Sequence, residues 1–529
     1  MKIKKYLVLV LTISAFACTD LSEEPYDQLL PPDLDSSPDI LQALAAPAYT
    51  SLNDVFFGWH GYFDLQEESA DVIVTPARPN GWVDGGTYRA LHMHEWNSLQ
   101  SQPGSLWSRS YAAIKIINDN IGSFKLLEGS EPVVAELRAL RAFYYYLLMD
   151  SFGNIPVTTE AESGIDGFVP EQLPRAQVFS FIVSEIEESL PFLNKEKVYG
   201  QMNYWAARMV LAKLFLNAKV YINEEKWDDA IVQVNDVIDN GGYALTPTYF
   251  DNFETENQNS TEQIFSVVYD EVRSGWLHYH WKTLHPASQA TYDLGTQPWG
   301  GSCAIPQFID TYDPNDARLG IWIKGPQFSS AGLPIYNSID PALSTVQLNY
   351  TKDIDGSVDA TKEYEGYRVG KFEIEEGTLG PLSNDLPVFR LADAMMIKAE
   401  CLLRTGESDA AAEIVTAVRR RNFANALDAE VTGAELLQGS VYNYGKYENG
   451  EVISPEGGDD IEYGRFLDEL GYEFAAEFHR RQDLIRFGVF TTKSWFSHVP
   501  KGDHKIIFDI PQSALDANPK LSHNPGYLP

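Results

Sequence analysis

The chain has 529 residues, 44% of them hydrophobic, enough to fill a core and to exclude wholesale disorder. Lys and Arg number 40 against 75 Asp and Glu, and the net charge of −35 repels phosphate backbones and excludes a general nucleic-acid binder. Three cysteines, Cys18, Cys303 and Cys401, exclude a disulfide framework.

Lys2, Lys4 and Lys5 precede a twelve-residue apolar run, Tyr6 to Ala17. A helix needs about 20 residues to span a bilayer, so this run predicts a secretory leader, residues 1–17. Ala15-Phe16-Ala17-Cys18 then has the form of a lipoprotein processing site, with Phe16 where a small residue is usual. Cys18 is the predicted lipidation site, and multiple acyl chains give stable anchoring where one gives marginal binding. Residues 18–37 form an acidic tether carrying Asp20, Glu23 and Glu24.

Periodicity predicts helices over 38–53, 103–127, 131–152, 175–193, 202–222, 226–240, 387–405, 408–422 and 466–488. In the 131–152 segment Leu137, Leu140, Tyr144, Leu147 and Leu148 form one buried stripe, and Arg138 and Arg141 read as structural ion-pair partners. Residues 54–102 are rich in Gly, Trp and His without steady period. Residues 241–386 break into short strand-like runs such as Ile264 to Tyr269, and 436–465 is a Gly- and Tyr-rich insertion. Two long helices each meet a short polar turn and an Ala that opens the next helix, Ala230 in one case and Ala410 in the other. That is the logic of tetratricopeptide helix pairs.

Four stretches together resemble the SusD/RagB family of outer-membrane lipoproteins. They are residues 135–148 running into Phe152-Gly153-Asn154-Ile155-Pro156; residues 389–400 with Val418 to Arg421; residues 473–488; and Phe508 to Pro511 with Asn524 to Tyr527. The resemblance implies a mainly α fold: a helical scaffold of tetratricopeptide-like pairs, about 38–240 and 387–529, carrying a loop-rich insertion with short strands, about 241–386, all within one domain, 38–529. It implies non-catalytic capture of an oligo- or polysaccharide at the cell surface. It also implies a partner, a TonB-dependent (SusC-like) outer-membrane transporter. A helical-toroid glycoside hydrolase and a peptide-capturing member of the same family are the alternatives.

Two aromatic segments are the candidate binding loops, because a flat indole offers a face to the C–H side of a sugar ring. The first supplies Asp71, Arg78, Trp82, Trp96 and Asn97; the second supplies Trp276, His278, Trp281 and Trp299. The charge favours a neutral glycan over a uronate polymer. His278, His280 and His285 lack the spaced second pair of a zinc site. Asp353-Ile354-Asp355-Gly356 begins like a calcium loop, but Lys362 stands at its twelfth position. No cofactor is expected; Ca²⁺ stays open, with no site assigned.

Overall fold

The structure, a computed structural model, describes residues 38–163, 165, 167–270, 275 and 277–527. The leader, Cys18, the tether and Trp276 lie outside these residues. The fold is mainly α. Helices Pro38–Phe57, Ser101–Phe124, Glu131–Phe152 and Arg175–Ser189 pack in succession, each against the next. Tyr204–Leu216 packs on Trp227–Asn240, which packs on Leu391–Arg404, and that in turn on Ser408–Arg419. The helices thus stack as consecutive hairpins, as the polar turns and small Ala residues predicted.

The Glu131–Phe152 helix begins with Pro132 in its first turn and stops at Gly153, whose φ of 73° suits glycine. Its predicted stripe is buried, and so is nearly every residue beyond Ala139. Arg138 bonds Glu185 and Glu188, and Arg141 bonds Glu185 and Glu160, so both arginines are structural.

The insertion leaves and re-enters the scaffold through one antiparallel strand pair, Gln263–Val267 with Leu386–Arg390, in which Leu386 faces Val267. At the end of that pair Arg390 bonds Glu262 at 2.8 Å, Glu473 at 2.8 Å and Glu477 at 2.7 Å. Arg421 also bonds Glu262 and Glu473, and Arg318 bonds Glu469 at 2.7 Å and Glu473 at 3.1 Å. All these side chains are at most 5% exposed, and through Glu262 and Arg318 the network ties the insertion to the scaffold. Removing one member would leave an uncompensated buried charge.

Two predicted helices are each broken in two. Residues 204–222 form Tyr204–Leu216 and Ala218–Ile222. Residues 464–486 form Gly464–Phe474 and Arg480–Arg486. Between the latter, Ala476 and Phe478 take φ of 63° and 66°. Their N–H groups turn inward to donate to the Glu67 side-chain carboxyl group, Ala476 at 3.2 Å and Phe478 at 2.9 Å. A carboxyl group from elsewhere in the chain has outcompeted the helix for these donors, which the local period could not reveal. The 436–465 insertion contains an antiparallel hairpin, Gly445–Glu448 with Glu451–Pro455. Among the described residues no helix is long and apolar enough to cross a membrane.

Candidate functional site: a cluster of indoles

The first helix ends at Phe57, and Gly58 follows where a Cβ would lie 2.5 Å from Asp54 O. Arg109, from the second long helix, donates to Asp54 O at 2.8 Å and to Trp59 O at 2.9 Å. This clamp fixes the backbone of Trp59, whose side chain leaves the helix end for solvent and is 41% exposed. Strand Ile73–Val74 pairs antiparallel with Cys303–Ala304, Val74 opposite Cys303, and so lays the loop carrying Trp82 beside residues 299–301. Gly301 has no room for a side chain: a Cβ would meet Lys282 O at 2.9 Å and Trp82 Cδ2 at 3.3 Å. Trp299 N donates to Trp281 O at 2.7 Å, which folds 281–301 back on itself.

Three segments thereby bring three indoles together. Ring centroids are 5.7 Å apart for Trp59 and Trp82, 5.7 Å for Trp82 and Trp299, and 5.6 Å for Trp59 and Trp299. The corresponding interplanar angles are 30°, 45° and 75°. The three distances are nearly equal, so the rings form a closed triangle in which each is tilted to the other two. Trp82 and Trp299 are half-buried. A second layer supports them: buried His278 lies 5.4 Å from Trp299, buried Trp281 lies 5.7 Å from it, and Tyr88 lies 6.0 Å from Trp82.

Beneath this lies an ionic tie. The π-helical turn Asp64–Glu68 is wholly buried, and Lys282 Nζ bonds Asp64 Oδ1 at 2.5 Å and Glu68 Oε1 at 2.7 Å. Burial alone would lower the ammonium's pKa; Asp64 and Glu68 outweigh it and hold Lys282 above the ordinary lysine range. Lys282 therefore remains charged and links the segment of Trp59 to that of Trp299. His60, at the edge, is pushed down to about 4 by burial and then by the charges of Lys282 and Arg109. The carboxylates nearest the indoles are engaged: Asp64 and Glu68 by Lys282, and Asp84 by the N–H groups of Gly86 and Tyr88. Exposed Asn80, Thr296 and Gln297 sit two or three residues from Trp82 and Trp299 in the chain.

Of the residues expected from sequence, Trp82 and Trp299 are in the cluster, and His278 and Trp281 are beneath it. Trp276 is outside the described residues. Asp71, Arg78 and Trp96 are corrections, because all three are buried and engaged internally. Asp71 receives Arg480 at 2.6 and 2.9 Å and the Tyr444 hydroxyl at 2.7 Å. Arg78 donates to the carbonyls of Gly301, Lys362 and Glu365. Trp96 packs on His94 and Phe508 and donates to the Tyr527 hydroxyl at 2.6 Å. Asn97 is exposed, but it sits beside Trp96 near the C-terminal segment, and its Oδ1 accepts from Leu99 N. Trp59 was missed. Its signal was Gly58-Trp59-His60-Gly61 at the close of a helix, inside the segment already marked as rich in Gly, Trp and His.

The histidines do not make a metal site. His280 is in the short helix Tyr279–Thr283 rather than on a strand with His278, and His285 bonds Glu363 at 2.8 Å. Asp355 is paired with Lys362, and Asp353 and Asp310 with Lys352. Among the described residues no group of three or more His, Cys, Asp or Glu could hold a metal ion. A separate cleft of about 180 Å³, lined by Lys197, Tyr199, Tyr243 and Gln263, contains none of the residues expected from sequence.

Two family models match the chain: one described as "SusD family" over residues 233–527, and one described as "Starch-binding associating with outer membrane" over residues 33–216. The chain is 24% identical to SusD-like protein P25 of Formosa agariphila, over 98% of this chain and 98% of that protein. It is 23% identical to the starch-binding protein SusD of Bacteroides thetaiotaomicron, over 74% of this chain and 72% of that one. Among solved structures it resembles surface glycan-binding protein A from Bacteroides thetaiotaomicron in complex with laminarihexaose. The TM-score is 0.69 at 20% identity, covering 92% of this chain and 99% of that one.

Proposed function

The chain belongs to the SusD family, and from that premise we propose that it captures a neutral glucan at the outer-membrane surface without cleaving it. The observation that carries this reading is the convergence of Trp59, Trp82 and Trp299 from three segments onto one partly exposed patch. Relatives named for starch binding and for a laminarihexaose complex support a carbohydrate ligand.

The geometry favours a curved chain. A flat ribbon glycan lies best on a coplanar row of rings, and three indoles mutually tilted by 30°, 45° and 75° do not form one. A glucan whose successive rings rotate, such as an α-1,4 or β-1,3 chain, does not require such a row. Each sugar face covering ~50 Å² of indole contributes on the order of 1 kcal/mol, and association costs several kcal/mol, so a Kd of roughly μM to mM is expected. Non-catalytic capture is supported by the carboxylates around the indoles, which are tied to Lys282 or to backbone N–H groups rather than set out as an open acid–base pair.

The lipid anchor at Cys18, the tether at 18–37 and delivery to a TonB-dependent transporter complete the proposal. They rest on the leader sequence and on family membership.

Calorimetry of the mature chain against starch, laminarin, a β-1,4-glucan, a fructan and alginate tests the ligand. Binding to a curved neutral glucan, with no reducing ends released, is expected. Binding to alginate alone, abolished by salt, or release of reducing ends, would overturn the reading.

A further inference from the structure

The turn Gly58-Trp59-His60-Gly61 carries a polar side chain as well as an indole to the edge of the cluster. Neither glycine admits a side chain: a Cβ on Gly58 would lie 2.5 Å from Asp54 O, and one on Gly61 would lie 2.6 Å from Phe56 O. Between them His60 takes a φ of 61°, in the left-handed region that favours glycine. A side chain kept in that conformation costs stability, and such positions gather where a protein holds a ligand.

His60 closes a ring of four aromatic side chains. Its centroid lies 5.2 Å from that of Trp59 and 5.7 Å from that of Tyr88; Tyr88 lies 6.0 Å from Trp82, and Trp82 lies 5.7 Å from Trp59. The imidazole is half-buried and tilted 40° to the Trp59 ring. Among the described residues no hydrogen bond reaches either of its nitrogens. Its polar neighbours are committed elsewhere: the Tyr88 hydroxyl donates to Asp64 at 3.0 Å, Lys282 bonds Asp64 and Glu68, and Arg109 holds the carbonyls of Asp54 and Trp59.

We infer that His60 is a specificity-determining residue of the indole site, whose two ring nitrogens, one donating and one accepting, bond the hydroxyl-bearing edge of the sugar that stacks on Trp59. This inference rests on the proposed function. A sugar hydroxyl also both donates and accepts, so the pairing is complementary in each direction. Burial, and then the charges of Lys282 and Arg109, hold the imidazole down at about 4, so the ring is neutral near neutral pH. An imidazolium would donate from both nitrogens and attract a uronate carboxylate; the neutral ring does neither. His60 therefore adds recognition of a hydroxyl to the stacking surface, and it does so without adding charge.

The test compares the mature parent chain with His60→Phe, His60→Gln and His60→Gly, using calorimetry against starch and laminarin together with thermal melts. Phe keeps a ring beside Trp59 and Tyr88 but removes both hydrogen-bonding atoms, and it should weaken binding about three- to tenfold. Gln returns a donor and an acceptor and should recover most of that loss. Gly relieves the backbone and should weaken binding as Phe does, while Tm rises or stays within about 2 °C of the parent. Glucan binding that Phe leaves unchanged would overturn the inference and leave the proposed function standing. Equal weakening by Phe and Gln, or a fall in Tm that tracks the lost affinity, would give His60 a packing role and overturn it too. A parent that binds no glucan would overturn the proposed function and this inference with it.

Discussion

Lys282 Nζ lies 2.7 Å from Glu68 Oε1, with both side chains buried, although 214 residues separate them in the chain. One arm of this contact carries Trp59 and Trp82, and the other carries Trp281 and Trp299. The two arms that carry the indoles are thus joined by a buried ion pair beneath them. Lys282→Met should leave Asp64 and Glu68 buried without a counter-charge and cost about 3–5 kcal/mol of stability. Urea unfolding measures this; a loss below about 1 kcal/mol would show that the tie is dispensable.

Trp59 and Trp96 should separate binding from stability. Trp59→Ala removes an exposed ring and should weaken glucan binding about five- to thirtyfold, with the melting temperature nearly unchanged. Trp96→Ala removes a buried ring that Lys505 Nζ covers at 5.0 Å, and should cost about 3–5 kcal/mol while the folded fraction still binds. Calorimetry paired with thermal melts checks both. The reverse pattern would relocate the site to the 94–97 segment.

Acid should weaken the fold through its buried histidines. His94 and His498 have ring centroids 4.0 Å apart, and burial holds both well below the ordinary histidine range; His280 is pushed down to about 3. These rings are neutral when folded, whereas in the unfolded chain they take up protons below about pH 6.5. Their stabilising contribution is complete above pH 6.5 and is lost as the pH falls toward their depressed values. His498→Phe keeps an aromatic ring on Trp495, which stacks at 3.8 Å. Relative to the parent it should gain about 1.4 kcal/mol per pH unit below 6.5. A parent–variant difference that stays constant between pH 7 and 5 would refute this.

Cys18→Ala should move the protein from the membrane fraction to the soluble fraction. Fractionation followed by blotting reads the outcome. A variant that still sediments with outer membranes would remove the lipid anchor from the proposal.

The scaffold was legible in sequence because its helices bury continuous stripes. The Glu131–Phe152 helix is bounded by a Pro and a Gly, and both ends could be read directly. The break at 475–479 was not legible, since its cause is Glu67, some 400 residues away in the chain. The site was half legible for a similar reason. Composition marked the segments that supply Trp82 and Trp299, but exposure decides which indoles can meet a ligand, and exposure depends on partners. Trp96 and Trp59 sit in equally aromatic surroundings, yet Tyr527 and Phe508 cover the first while the second projects past Gly58. Asp71 and Arg78 looked like ligand groups because nothing local announces Arg480 or the carbonyls of residues 362 and 365.

Because the indoles come from positions 59, 82 and 299, and the strand pair that closes the insertion ends at Arg390, timing follows from topology. A chain emerging N-terminus first from the export channel can pack its early helices hairpin by hairpin. On the proposed reading its recognition surface is incomplete until residue 390 has emerged, and no N-terminal fragment short of that point should retain affinity for glycan.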